Sequence, residues 1–473
     1  MDRRAFLAAS VAAGAGMRSD LSHGAEQDTK NAAKFLDLSQ IPNFCSHEHW
    51  GSISSIGFER GVFRADGVKG ATPNRKTTLV DVIVEPYLNW SFDGCGVKLD
   101  SIVRDELGFT DLSDAPRKAV VETVRVIRPY LKQQQLVGIY QCTRQGILSV
   151  YNFDINSDNP VEIIQANDAV GRNYSDIFGW YKRVMKRTGF SELIRCVHPE
   201  FYVNRQSDAL ATEEMIFTNT VMRIDPFLEL WEKSTRKEML SEIAGVEPDD
   251  AKSWRQFLDK IFEIALKGKA VGIKQLQAYF RDLNFKVHED NEVKFSGKLN
   301  EGQRKVFGNW VVNECCKRAN DLNWPHQVHV GTHNLSQSSP LPLLGLAKRY
   351  PKQKIVMLHC WPFLEEAGHL AKYYANIYID SCWQQVLSPQ FFREAIGTWL
   401  EYVPYSKIMM ANDSTTIEMA AGSVHFSRKI LGEVLPVIGK SAGIAEKELL
   451  QIAADMLGNN AVDLYKIGKK TRV

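Results

Sequence analysis

A chain of 473 residues, 44% apolar and 24% charged, has the composition of a soluble globular protein with a large core, in one large domain or two ordinary ones. A formal net charge of +2 gives no case for nucleic acid or an anionic membrane as partner. Eight scattered cysteines without a C-x-x-C exclude a zinc framework and a dense disulfide scaffold, leaving either a bridge or two or buried free thiols.

The N-terminal stretch "MDRRAFLAASVAAGAGM" pairs Arg3 and Arg4 with a short, weakly apolar run that is too brief to span a bilayer. It resembles a twin-arginine export signal. The expectation is a signal peptide over 1–25, no stable membrane anchor, and a periplasmic or otherwise extracytoplasmic location. Residues 26–50 then form a linker and a first strand, whose end reads "FCSHEHWGS".

Residues 51–190 are expected to be an insertion, with loops rich in Gly, Asp and Pro and helical patterns near 116–135 and 161–188. The basic cluster at 182–187 falls at helical spacing and reads as a solvated face. Beyond it, short β-branched runs alternate with longer helical patterns. Strands are expected at 43–49, 192–197, 221–224, 270–274, 327–330, 354–359, 376–380 and 407–413. Eight β/α units predict an α/β fold, a TIM-type (β/α)8 barrel over 26–50 and 191–465, with a mostly helical insertion after strand 1 and a short tail at 466–473. The active site of such a barrel lies at the C-terminal ends of its strands, so the insertion is expected to cap the catalytic face.

Ligand-type residues recur at those ends. His47 and His49 close strand 1, Lys274 closes strand 4, His329 lies on strand 5, His359 closes strand 6 and Asp413 closes strand 8. Side chains two apart on a strand face the same way, so both imidazoles of His47-Glu48-His49 point into the barrel mouth and Glu48 points away. Neutral imidazoles and a carboxylate suit a divalent first-row metal. Any one of these histidines alone reads more simply as a satisfied core or surface residue; their conjunction on one face predicts a metal site. His326 reads as preceding the buried part of its strand, and His333 as a solvated loop histidine more simply than as one facing the pocket. Trp50, Trp361 and Trp383 follow strand ends and read equally as pocket wall or core. His23, His198, His288, His369 and His425 have no such placement.

This pattern resembles the amidohydrolase superfamily, and its family 2 branch in particular. "IKQLQAYFRDL" is similar to that branch's K-x-x-x-A-Y-R segment, and "PHQVHVGTHN" to its P-x-Q-x-H-x-G element. "IVMLHCWPFLEEAGHLAKYYANIYID", "IMMANDSTTIE" and "MLGNNAVDLY" stand where the family has its later strand and closing-helix blocks, and the amidohydrolase half of FluG-type proteins is the closest in motif. The likeness runs over 190–465 and 41–51 and fades across 52–190. One extra residue in Ala278-Tyr279-Phe280-Arg281 displaces the family's Arg.

The resemblance implies one divalent metal, zinc first with manganese or iron as alternatives, held by His47, His49, His329 and Asp413. Asp413 would also act as general base toward the water, and His359 would hold a second metal or donate to a developing oxyanion. Lys274 would bridge two metals if carboxylated; free, it would bind a substrate carboxylate or sit as a paired core cation. Arg281 and Tyr279 would grip an acidic substrate. The implied function is hydrolysis of a C–N or C–O bond in a small carboxylate-bearing molecule. A metal-dependent decarboxylase or lyase, or a sugar-acid isomerase, on the same ligands is the alternative. A barrel that only binds a ligand is the third reading, and retention of His47, His49 and Asp413 speaks against it. Barrels of this branch often form homo-oligomers.

Overall fold

The computed structural model describes residues 35–50, 77–84, 87–109, 119–204 and 215–468. The expected signal peptide lies outside them. Eight strands form one sheet in the order of the chain: β1 (Asn43–Glu48), β2 (Phe190–Val197), β3 (Thr218–Arg223), β4 (Ala270–Gln275), β5 (His326–Gly331), β6 (Ile355–Trp361), β7 (Ile377–Asp380) and β8 (Ile408–Met409). Every neighbouring pair is parallel. Beyond β8 the chain returns to β1: the Asp413 N–H donates to the His47 carbonyl and the His49 N–H to that of Ser414, both at 3.1 Å. The architecture is an α/β barrel of TIM type. Strands β1 and β5 are buried along their whole length, as parallel strands covered on both faces must be.

Helices wrap the sheet, and their starts are written locally. Asp250 and Ser253 form a capping box ahead of Ala251–Lys267, as do Asn300 and Gln303 ahead of Glu301–Leu322. Among the described residues no helix is long and apolar enough to cross a membrane.

Between β1 and β2 the chain is mostly helical. The expected pattern near 116–135 is the helix Val120–Gln133. That at 161–188 is broken into Pro160–Ser175 and Ile177–Thr188, because Asp176 leaves helical geometry and caps the second helix through the Gly179 N–H. Helices at Leu79–Val84, Tyr87–Gly94, Leu99–Leu107 and Gly138–Tyr151 occupy stretches of this mostly helical insertion for which no particular helical pattern was expected. The last of these buries one face, but that face includes Gly138, Thr143 and Gly146 while Leu148 is exposed, so hydrophobicity marks no clean amphipathic stripe. It packs on the long helix Ile417–Ala442 at backbone contact, with Gly146 and Gly422 at the crossing. A Cβ on Gly422 would stand 2.0 Å from the Cys142 carbonyl oxygen. Glu418, buried on the same helix, accepts hydrogen bonds from Tyr151 (2.6 Å), Tyr174 (2.7 Å) and Trp180 (3.0 Å) of the inserted helices. The insertion is thereby keyed to the barrel. All eight cysteines are free thiols.

Candidate metal centre and active site

His47 and His49, two apart at the end of β1, point into the barrel mouth, where Asp413 meets them. Asp413 Oδ1 lies 3.0 Å from His49 Nε2 and 3.5 Å from His47 Nε2. This oxygen is buried and has no hydrogen bond of good geometry. His47, His49 and Asp413 thus crowd three potential ligand atoms into one buried spot, as a cation site requires. The residues fit a divalent metal.

The surroundings prepare each ligand. Gln327 on β5 donates from its amide nitrogen to the Ser46 carbonyl (2.7 Å) and the Tyr465 hydroxyl oxygen (2.8 Å). Its amide oxygen therefore faces His47 Nδ1, 2.8 Å away, and accepts the proton there. The lone pair of His47 is thus on Nε2, toward the mouth. Burial, and then the charge of Lys274, hold His47 well below its usual pKa and so neutral. Burial by itself would raise the Asp413 carboxyl, but the facing histidines, His49 foremost, hold it well below the carboxylate range. One neutral imidazole, His47, and one ionised carboxylate result; burial works to lower His49, but Cys196 and Asp413 beside it raise it to about 10, so it carries a proton that a bound cation would have to displace.

Asp413 also lies outside the strand expected for 407–413. Regular pairing stops at Met409, and Asp413 takes a left-handed backbone, φ 53°. Glu48, facing away from the mouth, explains the turn. Its two oxygens accept from Asn412 Nδ2 and from the Ser414 N–H, each at 2.8 Å, on either side of Asp413. His359 (φ 66°) and Thr332 (φ 57°) are likewise left-handed, and in a β-branched threonine that conformation is strained.

His359 and His329 stand beside the ligand set. His359 Nδ1 donates to the Cys382 carbonyl (3.0 Å) and lies 3.7 Å from Asp413 Oδ2. Its Nε2 is then an acceptor, from His329 Nδ1 at 2.9 Å. His329 Nε2 in turn accepts from Thr332 Oγ1 at 2.7 Å, and Thr332 Oγ1 accepts from His333 Nδ1 at 2.9 Å. Both nitrogens of His329 are thus engaged. Among the described residues the compact ligand groups contain His47 with His49 and Cys196, and His47 with Cys382 and Asp413; His329 is in neither. Lys274 Nζ lies 3.3 Å from His47 Nε2 at the floor of the mouth.

A cavity of about 590 Å³ opens from this cluster. Tyr87 and Trp90 of the insertion line it, with Trp383 packed 4.7 Å from Tyr87, and Tyr279 stacks on His333 at 4.3 Å. Arg281 is not on the wall. The residue inserted ahead of it turns its guanidinium outward, onto Asn309 (2.6 Å) and the carbonyls of Lys305 and Asn284. Cations from elsewhere take that place: Arg223 at the end of β3 and Arg236, with His198 between them at 3.2 and 3.4 Å. Glu200 lies 2.8 Å from Arg236 and Asp225 lies 3.6 Å from Arg223, and Asp225 and Glu229 reach the cavity too. Sequence reading left His198 without a place and passed over Arg223, Arg236, Gln327 and Tyr87. The one signal available was that Arg223 ends a strand, in register with Lys274.

Known proteins share this fold. Residues 272–467 match the amidohydrolase family model. Over 246 residues the chain is 24% identical to the fluG protein of Emericella nidulans, a span covering 46% of this chain and 28% of that protein's length. A uronate isomerase from Thermotoga maritima superimposes with TM-score 0.68 at 13% identity, over 90% of this chain and 95% of that one. A glucuronate isomerase from Caulobacter crescentus does so with TM-score 0.66 at 14% identity, over 92% and 93%. The (β/α)8 barrel is the fold that this chain shares with these two isomerases. Residues 272–467 are similar to the amidohydrolase family in its second branch, with fluG-like similarity.

Proposed function

We propose that the protein is a metal-dependent hydrolase that cleaves a C–N or C–O bond of a small carboxylate-bearing molecule, exported by the twin-arginine-like leader. The observation that carries this reading is one cavity lined by two chemically distinct sets of groups. His49 and Asp413, with His47 3.5 Å from Asp413, form one set; Arg223 and Arg236 form the other. A divalent ion, with zinc first in order, would supply Lewis-acid polarisation and a lowered pKa for water. The chain's own groups do the rest. Asp413 turns Oδ1 to the histidines and keeps Oδ2 toward His359, so one oxygen can be a ligand while the other takes up the proton of the attacking water. His359, which burial pushes down to about 4, is a neutral imidazole beside the reacting region. Arg223 and Arg236 hold the substrate carboxylate and so orient the scissile bond toward Asp413. Tyr87, Trp90 and Trp383 close the apolar wall and exclude water.

A second reading, sugar-acid isomerisation, draws on the mixed character of the far wall. Asp225 and Glu229 beside Arg223 offer acceptors for hydroxyl groups next to a cation for a carboxylate. Reaction in oxygen-18 water separates the two. Hydrolysis places one solvent oxygen in the product of each turnover; isomerisation of a uronate leaves the mass unchanged and moves the carbonyl, and release of carbon dioxide would replace both with a decarboxylase. For the leader, replacing both Arg3 and Arg4 by lysine retains the precursor in the cytoplasm if the export reading holds.

A further inference from the structure

Cys196 lies on β2 beside the metal cluster, fully buried. Its Sγ is 3.6 Å from His49 Nδ1 and 3.9 Å from His49 Nε2, and it falls within 4.8 Å of the ligand atoms of both His47 and His49. Sulfur and nitrogen bound to one tetrahedral zinc at ~2.3 and ~2.05 Å stand about 3.6 Å apart. The sulfur of Cys196 stands 3.9 Å from Nε2, the His49 nitrogen that faces Asp413, a few tenths of an ångström more than the spacing two ligands of one ion keep. It approaches from β2, whereas Asp413 approaches from the β8 side of the same histidine.

We infer that Cys196 is a thiolate ligand of the ion held by His47, His49 and Asp413. This rests on the metal site proposed above and adds a fourth protein donor from a strand end that the sequence reading left empty. As the sulfur–metal bond forms, the thiol proton leaves to solvent, so the thiolate and Asp413 together offset the charge of a divalent ion. A soft sulfur donor favours zinc over manganese or magnesium. With four protein donors the resting ion is closed, and a substrate carbonyl or water gains access by displacing one of them or by expanding the coordination. Cys382, within 4.8 Å of the ligand atoms of His47 and Asp413, is the natural control, since it is another buried thiol beside the same cluster.

The test uses the full-length protein stripped of metal and reloaded with cobalt(II), with cobalt per chain counted by elemental analysis. Wild type is expected to bind cobalt and to show the strong near-ultraviolet absorption of a thiolate-to-cobalt transition. Cys382→Ser should keep that band. Cys196→Ser should lose it while still binding cobalt through the two histidines and Asp413, and its preference for zinc over manganese should fall roughly tenfold or more. Bound cobalt without the band in wild type overturns the thiolate and leaves the metal site standing. Loss of the band in Cys382→Ser assigns the sulfur to the other cysteine and also overturns it. Folded wild type that binds no cobalt removes both this ligand and the site beneath it. If Cys196→Ser does not fold, the wild-type band together with its survival in Cys382→Ser decides the matter.

Discussion

Glu48 grips Asp413 by its neighbours, one carboxylate oxygen accepting from Asn412 Nδ2 and the other from the Ser414 N–H, both at 2.8 Å. Asn412 is itself oriented, because its carbonyl oxygen accepts from Ser423 Oγ at 2.9 Å. The residue that separates the two histidines in sequence thus sets the backbone that carries the third ligand. Burial pushes the Glu48 carboxyl up to about 8, and the bonds from Asn412 and Ser414 work against that rise.

A glutamine at this position has one acceptor oxygen and would turn its NH2 toward another donor. We expect Glu48→Gln to fold yet to bind metal roughly 10–100-fold more weakly, as loss of an outer-shell partner does. Equilibrium dialysis with zinc measures it. Unchanged affinity would mean that Asp413 is held by its own loop.

Thr332 links His329 to His333 through its hydroxyl. Thr332→Val keeps the shape and removes the oxygen. Turnover is expected to fall by about 10²-fold, the scale of one assisted proton transfer, with metal content unchanged. A fall in metal content of the same size would instead make His329 a ligand, as the resemblance implied.

The helix crossing that docks the insertion tolerates no side chain at Gly422. Gly422→Ala must separate Gly138–Tyr151 from Ile417–Ala442, at a cost of about 3 kcal/mol by the scale of overpacked cores. Because Tyr87 and Trp90 come from the same insertion, KM should rise along with the loss of stability in urea. An unchanged unfolding midpoint would show that the crossing yields.

Buried neutral histidines make folding acid-sensitive. Burial pushes His326 from 6.5 down to about 3, while the unfolded chain titrates near 6.5. Between those values the unfolded state holds more protons, so this stability is present above pH 6.5 and is lost as the pH falls toward 3. Going from pH 8 to pH 5 should remove about 2 kcal/mol through His326 alone, at ~1.4 kcal/mol for each pH unit below 6.5. Urea unfolding of His326→Gln at both pH values should show a loss smaller by that amount. An identical loss would place the acid sensitivity elsewhere.

What the sequence by itself determined was whatever repeats with a local period. The eight β/α units were legible because a parallel strand reads as a short β-branched run and a wrapping helix as an apolar stripe. His47, His49, Lys274, His329, His359 and Asp413 were legible as a group because strand ends in such a barrel open on one face. Only the tertiary structure decided what depends on distance across the barrel. It turned Arg281 onto Asn309 and brought Arg223 and Arg236 to the cavity, since a guanidinium goes where packing leaves room. It engaged both nitrogens of His329 and placed Gln327 behind His47 and Cys196 beside His49, contacts spanning 280 and 147 residues of chain. It made a helix of Gly138–Tyr151, whose buried face carries Gly138, Thr143 and Gly146 and so lacks the apolar period that would announce it. Local rules write the elements into the chain; which side chains meet is set by long-range packing, and no short window of sequence contains it.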